Sequence, residues 1–91
     1  MFKTLEELIA VIRQRRESTS EESYTKKLLS SKKLSVEKVK EEITELIDAV
    51  EKNSNKIHEA ADVLYHLMVF LEASGVKIED VMNELKKRQK K

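Results

Sequence analysis

The sequence predicts an all-α fold of about five helices, packed as an antiparallel bundle. Three observations carry this. The 91 residues include no proline and one glycine, Gly75, whereas turn-rich β architectures need many residues that tolerate unusual backbone angles. Charged side chains are 38% of the chain, yet 18 basic and 17 acidic residues leave a net charge of only +1, the balance of heavily charged helix surfaces. Apolar residues recur at spacings of three and four, the period of one helical face.

Thr4 followed three residues later by Glu7 reads as a capping box that opens the first helix. Leu5, Leu8, Ile9 and Ile12 carry that helix to about Glu17. Ser18-Thr19-Ser20 is a break rich in capping residues, and a short second helix, roughly Glu21 to Leu29, carries Tyr24, Leu28 and Leu29. Ser30-Ser31-Lys32-Lys33 reads as a polar connection. Ser35 is the expected N-cap of a third helix running to about Lys52. Its Val36, Val39, Ile43, Leu46 and Val50 have the spacing of a bundle seam. Asn53-Ser54-Asn55 is the turn into a fourth helix, about Lys56 to Ala73, and Gly75 stands where a left-handed capping residue belongs. A fifth helix carries Ile78, Val81, Met82 and Leu85 ahead of a basic tail, Lys86 to Lys91. The sequence shows no repeat or linker, so residues 1–91 are expected to form a single domain.

Composition excludes several classes. Without cysteine there is neither a disulfide framework nor a thiolate metal site. Balanced charge and scarce aromatics give no nucleic-acid signal. The longest apolar run, Leu67 to Leu71, is too short to span a bilayer, and Met1-Phe2-Lys3-Thr4 leads into an amphipathic pattern unlike a signal or transit peptide. The expectation is a cytoplasmic protein. A chain this short has a marginal core, so a bound metal or a second copy is expected to supplement it. The fourth helix is apolar all round at 67–71 and therefore belongs inside an assembly, which predicts a homodimer.

The chemistry concentrates on the third and fourth helices. Glu41, Glu42 and Glu45 fall within one arc of about 100°, with Lys38 and Asp48 on or beside it and the seam expected opposite. Taken alone this is what a solvated acidic face looks like. The fourth helix changes the balance, because an interior helix carries Glu59, Asp62 and His66 on one face. A short turn makes the two helices antiparallel neighbours, able to aim Glu42-x-x-Glu45 at Glu59-x-x-Asp62. Two like charges about 4 Å apart, at an effective dielectric near 20, repel by roughly 4 kcal/mol. Such a cluster needs protons or a cation. An all-oxygen donor set suits Mg²⁺ or Mn²⁺ rather than zinc, and neither His58 nor His66 has the glutamate three residues earlier that a di-iron bundle uses.

Ser23-Tyr24-Thr25 with Leu28-Leu29, then Lys38-Val39-Lys40-Glu41-Glu42 leading to Glu45, then Glu59-Ala60-Ala61-Asp62-Val63-Leu64-Tyr65-His66-Leu67, resemble the phosphoribosyl-ATP pyrophosphohydrolase family of histidine biosynthesis. The paired acidic motif is shared with the wider MazG-type all-α nucleotide pyrophosphohydrolases; the Ser-Tyr-Thr segment and the Ala-Ala-Asp-x-x-Tyr-His run narrow it. Where the family often has Lys-Lys and a glycine before its first Glu, this chain reads Glu37-Lys38 and Lys40.

The resemblance implies a MazG-like dimer that uses Mg²⁺ to hydrolyse phosphoribosyl-ATP between its α and β phosphates. It implies Glu42, Glu45, Glu59 and Asp62 as metal ligands, Glu41 as a further ligand or the base, and Lys38 on a phosphate. Recognition of the phosphoribosyl group then falls to Tyr24, Thr25 and Lys27. The alternatives are a MazG-type house-cleaning nucleoside triphosphate pyrophosphohydrolase and a helical dimerisation module without chemistry.

Simpler roles are expected for the rest. His66 is expected to make a structural hydrogen bond and His58 to lie on the surface. Arg13, Arg15 and Arg16 face the dipole at the end of the first helix.

Overall fold

Two long helices, α3 (Lys32–Lys52) and α4 (Lys56–Ala73), pack side by side around the turn at residues 53–55 and form the frame of the molecule. The computed structural model describes residues 2–17 and 23–89. In chain order α1 (Lys3–Arg16) and α2 (Tyr24–Ser30) precede this hairpin and α5 (Ile78–Arg88) follows it, with no strand among the described residues. The all-α expectation holds. No described helix is long and apolar enough to cross a membrane.

The hairpin's ends are fixed by left-handed residues. Asn53 has φ +54°, and the amides of Asn53 and Ser54 return to the carbonyls of Val50 and Ala49. Gly75 has φ +75°, with the amides of Gly75 and Val76 bound to Glu72 and Leu71, so the carbonyls left over at each helix end are satisfied as in a Schellman motif.

Three expected starts are corrected. The second helix begins at Tyr24 and not near Glu21, because Ser23 is extended and caps it. The capping box at Thr4 does not form, because α1 begins earlier: the Leu5 and Glu6 amides bond the Phe2 carbonyl, which leaves Thr4 inside the first turn. Ser35 is not an N-cap either. Ser31 caps α3, accepting from the Leu34 amide at 3.2 Å, so the polar connection of residues 30–33 shrinks to that one residue. Ser35 is instead buried within the helix, its Oγ donating to the Leu28 carbonyl at 2.7 Å and joining α3 to the end of α2. The expected break at 18–20 and Glu21 lie outside the described residues, as do Lys90 and Lys91 of the basic tail.

Ile12, Leu28, Met68, Val69 and Ile78 form the buried core, so α1, α2 and α5 all pack on α4. Arg13 does more than face a helix dipole. Its Nε donates to Glu72 at 3.2 Å and its two terminal nitrogens to Glu79 at 2.9 and 2.8 Å, tying α1 to the end of α4 and to α5. Arg16 joins through Glu72 at 3.3 Å. The Arg13 guanidinium holds the Glu79 carboxyl down at about 2.

The expected seam of α3 is also corrected. Its inward side is Ser35, Val39, Glu42, Leu46 and Ala49, buried or half-buried at helical spacing. Ile43 and Val50, assigned to the seam, are exposed and align with Ile47 in an outward apolar stripe. The helix is rotated by about one residue from the expected setting, and this turns Glu42 inward.

Candidate functional site

The rotation of α3 decides the character of the site. Glu42 falls in line between Val39 and Leu46 on the side that meets α4, not on the far side from the seam. Glu45 follows one turn later, and α4 supplies Glu59 and Asp62 from its own first turns. Ligand atoms of Glu41, Glu42 and Glu45 lie within 4.8 Å of one another, as do those of His58, Glu59 and Asp62.

Glu45 links the two groups, acting on Glu42 of its own helix and on Glu59 of α4. Burial first, then the adjoining Glu45 carboxylate, push Glu42 above the ordinary carboxylate range, with Asp62 adding to the effect and His66 opposing it. Burial and the same Glu45 push Glu59 upward, with Asp62 adding and His58 opposing. Glu45 therefore stands beside both helices' buried carboxyls. One oxygen of each, Glu42 Oε2 and Glu59 Oε2, is buried with no hydrogen-bond partner among the described residues. A buried carboxylate oxygen without a donor is costly and demands either a proton or a cation.

The residues fit a divalent metal. Glu42, Glu45, Glu59 and Asp62 are carboxylates and offer oxygen only, the donor set of Mg²⁺ or Mn²⁺, with His58 adding a nitrogen beside Glu59 and Asp62. The nearby basic groups lie at the rim: His58 Nε2 is 3.3 Å from Asp62 Oδ2 and is largely exposed, while Lys38 Nζ is 3.4 Å from Glu41 Oε2. Neither meets the two orphaned oxygens. Glu41 joins the α3 group with half of its side chain in solvent.

Ser23 caps α2 by accepting from the Lys26 amide at 3.3 Å, and this places Tyr24 and Thr25 in the helix's first turn, against α4. The Tyr24 phenol is raised by partial burial and lowered by the charge of Lys38, with Glu42 and Glu41 also acting on it, so the ring stands at the edge of the carboxylates. Its hydroxyl meets His66 Nε2 at 3.0 Å. Thr25 does not present a free hydroxyl, because its Oγ1 is hydrogen-bonded to the hydroxyl of Tyr65. Lys27 stands exposed one turn along from Tyr24.

The expected ligands thus fall in two groups, Glu42 and Glu45 with Glu41 on α3 and Glu59 and Asp62 with His58 on α4, with Glu45 acting on both Glu42 and Glu59. His66 makes the structural hydrogen bonds expected of it, but sequence reasoning missed its partner Tyr24 and the supporting Tyr65. The pairs Tyr24–His66 and Thr25–Tyr65 span 42 and 40 residues, and no local spacing encodes them. A groove of about 570 Å³ between α1 and α5, lined by Leu5, Ile9, Arg13, Ile78 and Met82 among others, shares no residue with this site.

The family model described as phosphoribosyl-ATP pyrophosphohydrolase matches residues 5–89. The phosphoribosyl-ATP pyrophosphatase of Clostridium novyi is 47% identical over 96% of this chain and 82% of its own length. The protein of the same name from Pyrobaculum arsenaticum is 43% identical over 97% of each. The histidine biosynthesis bifunctional protein HisIE of Pyrococcus furiosus is 41% identical over 94% of this chain but only 41% of its own length. No solved structure matches the chain.

Proposed function

Since the chain belongs to the phosphoribosyl-ATP pyrophosphohydrolase family, we propose that it hydrolyses phosphoribosyl-ATP to phosphoribosyl-AMP and pyrophosphate, a step of histidine biosynthesis, with water attacking between the α and β phosphates. The observation that carries the mechanism is the pair of buried, donor-free oxygens on Glu42 and Glu59. Such oxygens do not serve a merely solvated acidic face.

Glu42, Glu45, Glu59 and Asp62 would hold Mg²⁺. A bound Mg²⁺ would supply positive charge against the phosphate oxygens. The chain's own groups do the rest. Lys38, at the rim, exchanges its contact with Glu41 for a phosphate oxygen of the substrate. That frees the Glu41 carboxylate, which orients a water and takes its proton as the new P–O bond forms and pyrophosphate leaves with the bonding pair of the old one. No side chain forms a covalent intermediate.

The reading includes a homodimer. Ile43, Ile47 and Val50 on α3 are exposed at i, i+4, i+7, and Ile57 and Leu64 repeat the pattern on α4. Apolar stripes beside a catalytic hairpin are a surface for a second copy.

The test is pyrophosphate release, with and without Mg²⁺, from phosphoribosyl-ATP against a panel of nucleoside triphosphates. Preference for phosphoribosyl-ATP, dependent on the metal, is the expected result. Equal turnover of the whole panel would move the chain to house-cleaning chemistry.

A further inference from the structure

His66 is 8% exposed, and both of its ring nitrogens are engaged. Nδ1 lies 2.9 Å from the backbone carbonyl oxygen of Asp62 and Nε2 lies 3.0 Å from Tyr24 Oη. A carbonyl oxygen only accepts, so Nδ1 carries the proton. In the neutral ring Nε2 then offers its lone pair, and the Tyr24 hydroxyl donates to it. The imidazole is held by neighbouring rings: Tyr65 meets it edge-on with centroids 4.9 Å apart, and Tyr24 does so at 5.9 Å. Tyr24 and Tyr65 are themselves stacked at 6.4 Å.

Tyr24 is 45% exposed and stands beside Lys38, Glu41 and Glu42. Its only hydroxyl proton is committed inward to His66. What its oxygen has left is therefore lone-pair density, which repels phosphate oxygens and accepts from a hydroxyl group.

We infer that His66 is a positioning residue which makes Tyr24 a hydrogen-bond acceptor, so that Tyr24 takes a hydroxyl of the ribose adjoining the α phosphate and not a phosphate oxygen. This inference rests on the substrate proposed above. The ribose is chosen over the adenine because the carboxylates and Lys38 beside Tyr24 fix the phosphates there, and the ribose is the sugar attached to them. The cluster of Tyr24, Tyr65 and His66 thereby gains a use that a merely packed aromatic group lacks.

The experiment uses the full chain with Mg²⁺ and the variants Tyr24→Phe, His66→Phe, His66→Gln and the double Tyr24→Phe/His66→Phe. The expected result is a KM for phosphoribosyl-ATP raised about tenfold in each single Phe variant, the loss of about one hydrogen bond, with kcat within about twofold. The double variant should be no worse than either single one, because both remove the same interaction. His66→Gln, whose side-chain oxygen reaches the position of Nε2, should recover most of the loss. Wild type should bind AMP about tenfold more tightly than 2′,3′-dideoxy-AMP, and both Phe variants should lose that preference. Imidazole ¹⁵N resonances should place the His66 proton on Nδ1. A proton on Nε2, additive effects of the two Phe changes, or equal binding of the two monophosphates by wild type would overturn the inference. A wild type that does not hydrolyse phosphoribosyl-ATP would overturn the substrate, whereas the tautomer measurement reads the Tyr24–His66 geometry independently of it.

Discussion

Glu42 on α3 and Glu59 on α4 each bury one carboxylate oxygen that no donor among the described residues reaches, and the Glu45 carboxylate acts on both. Folding brings these groups together against their mutual repulsion. The core and the Arg13 network must offset that cost in the metal-free chain.

The sign of the resulting pH dependence follows. Glu42 and Glu59 titrate above the ordinary carboxylate value of 4.5, so just above it the folded chain holds more protons than the unfolded one. Metal-free stability should fall as pH rises from about 4.5 through their raised values. Glu79 acts in the opposite sense: held at about 2 by Arg13, its contribution is present above 4.5 and lost as pH falls toward 2. Millimolar Mg²⁺ should raise the melting temperature and flatten the loss above 4.5, and a chelator should restore it. Thermal melts across pH at constant ionic strength check this; no response to Mg²⁺ would count against a metal at this cluster.

Glu42→Gln, Glu45→Gln, Glu59→Gln and Asp62→Asn should each reduce pyrophosphate release by about 100-fold or more, because each keeps its shape but loses a charge the cation needs. Helical content should be unchanged. Glu42→Gln and Glu59→Gln should also raise the metal-free melting temperature, since they remove the buried charge. Turnover near wild type in any two of the four would misplace the metal.

The acidic pairs were legible because they lie one turn apart on helices that a short turn forces together. The boundaries of α4 were legible for a similar reason, with Asn53-Ser54-Asn55 before it and Gly75 after it. The setting of α3 was not. Ser31 and Ser35 are equally good capping residues in sequence, and only the Leu28 carbonyl, a partner on another helix, decides between them. Periodicity of Val, Ile and Leu likewise cannot separate a core-facing stripe from an outward one. It assigned Ile43 and Val50 to the interior and left Glu42 outside, the reverse of what the structure shows. The ring pair Tyr24–His66 is tertiary throughout.

Arg13→Met should lower the melting temperature by on the order of 5 °C, because one side chain serves both Glu72 and Glu79 in a pairing that surface solvent only partly screens. Activity at low temperature should hold, since Glu72 lies in the last turn of α4, whereas Glu59 and Asp62 lie in its first turns. The acid-side loss of stability should also become shallower, because Glu79 then returns toward its ordinary value. A variant that melts like wild type would reduce this network to a surface decoration.

Ile47→Asp, placed in the middle of the outward stripe at a residue 54% exposed, should convert the expected dimer to monomer. Sedimentation equilibrium at micromolar concentration distinguishes the two. A wild type that is already a stable monomer would remove the proposed partner, and Ile57, 89% exposed, would need another explanation.

The last expectation separates the phosphoribosyl substrate from a plain nucleoside triphosphate. In the proposed reading the carboxylate cluster would serve the phosphate chain and its metal, which both substrates share, so it would not encode the phosphoribosyl group. Of the α2 residues assigned that task, Thr25 has its hydroxyl engaged with Tyr65, whereas Lys27 is exposed and one turn from Tyr24. We propose that Lys27 meets the additional phosphate as a mobile point charge. Lys27→Met should therefore raise KM for phosphoribosyl-ATP about tenfold, as a hydrogen bond to a charged group contributes about 1.5–3 kcal/mol, and leave residual ATP hydrolysis nearly unchanged. Thr25→Val should behave differently. It releases the Tyr65 ring that supports His66, so it should lower stability and weaken both substrates together. Measuring both substrates on both variants decides the matter: equal loss on Lys27→Met would mean that the extra phosphate is bound elsewhere.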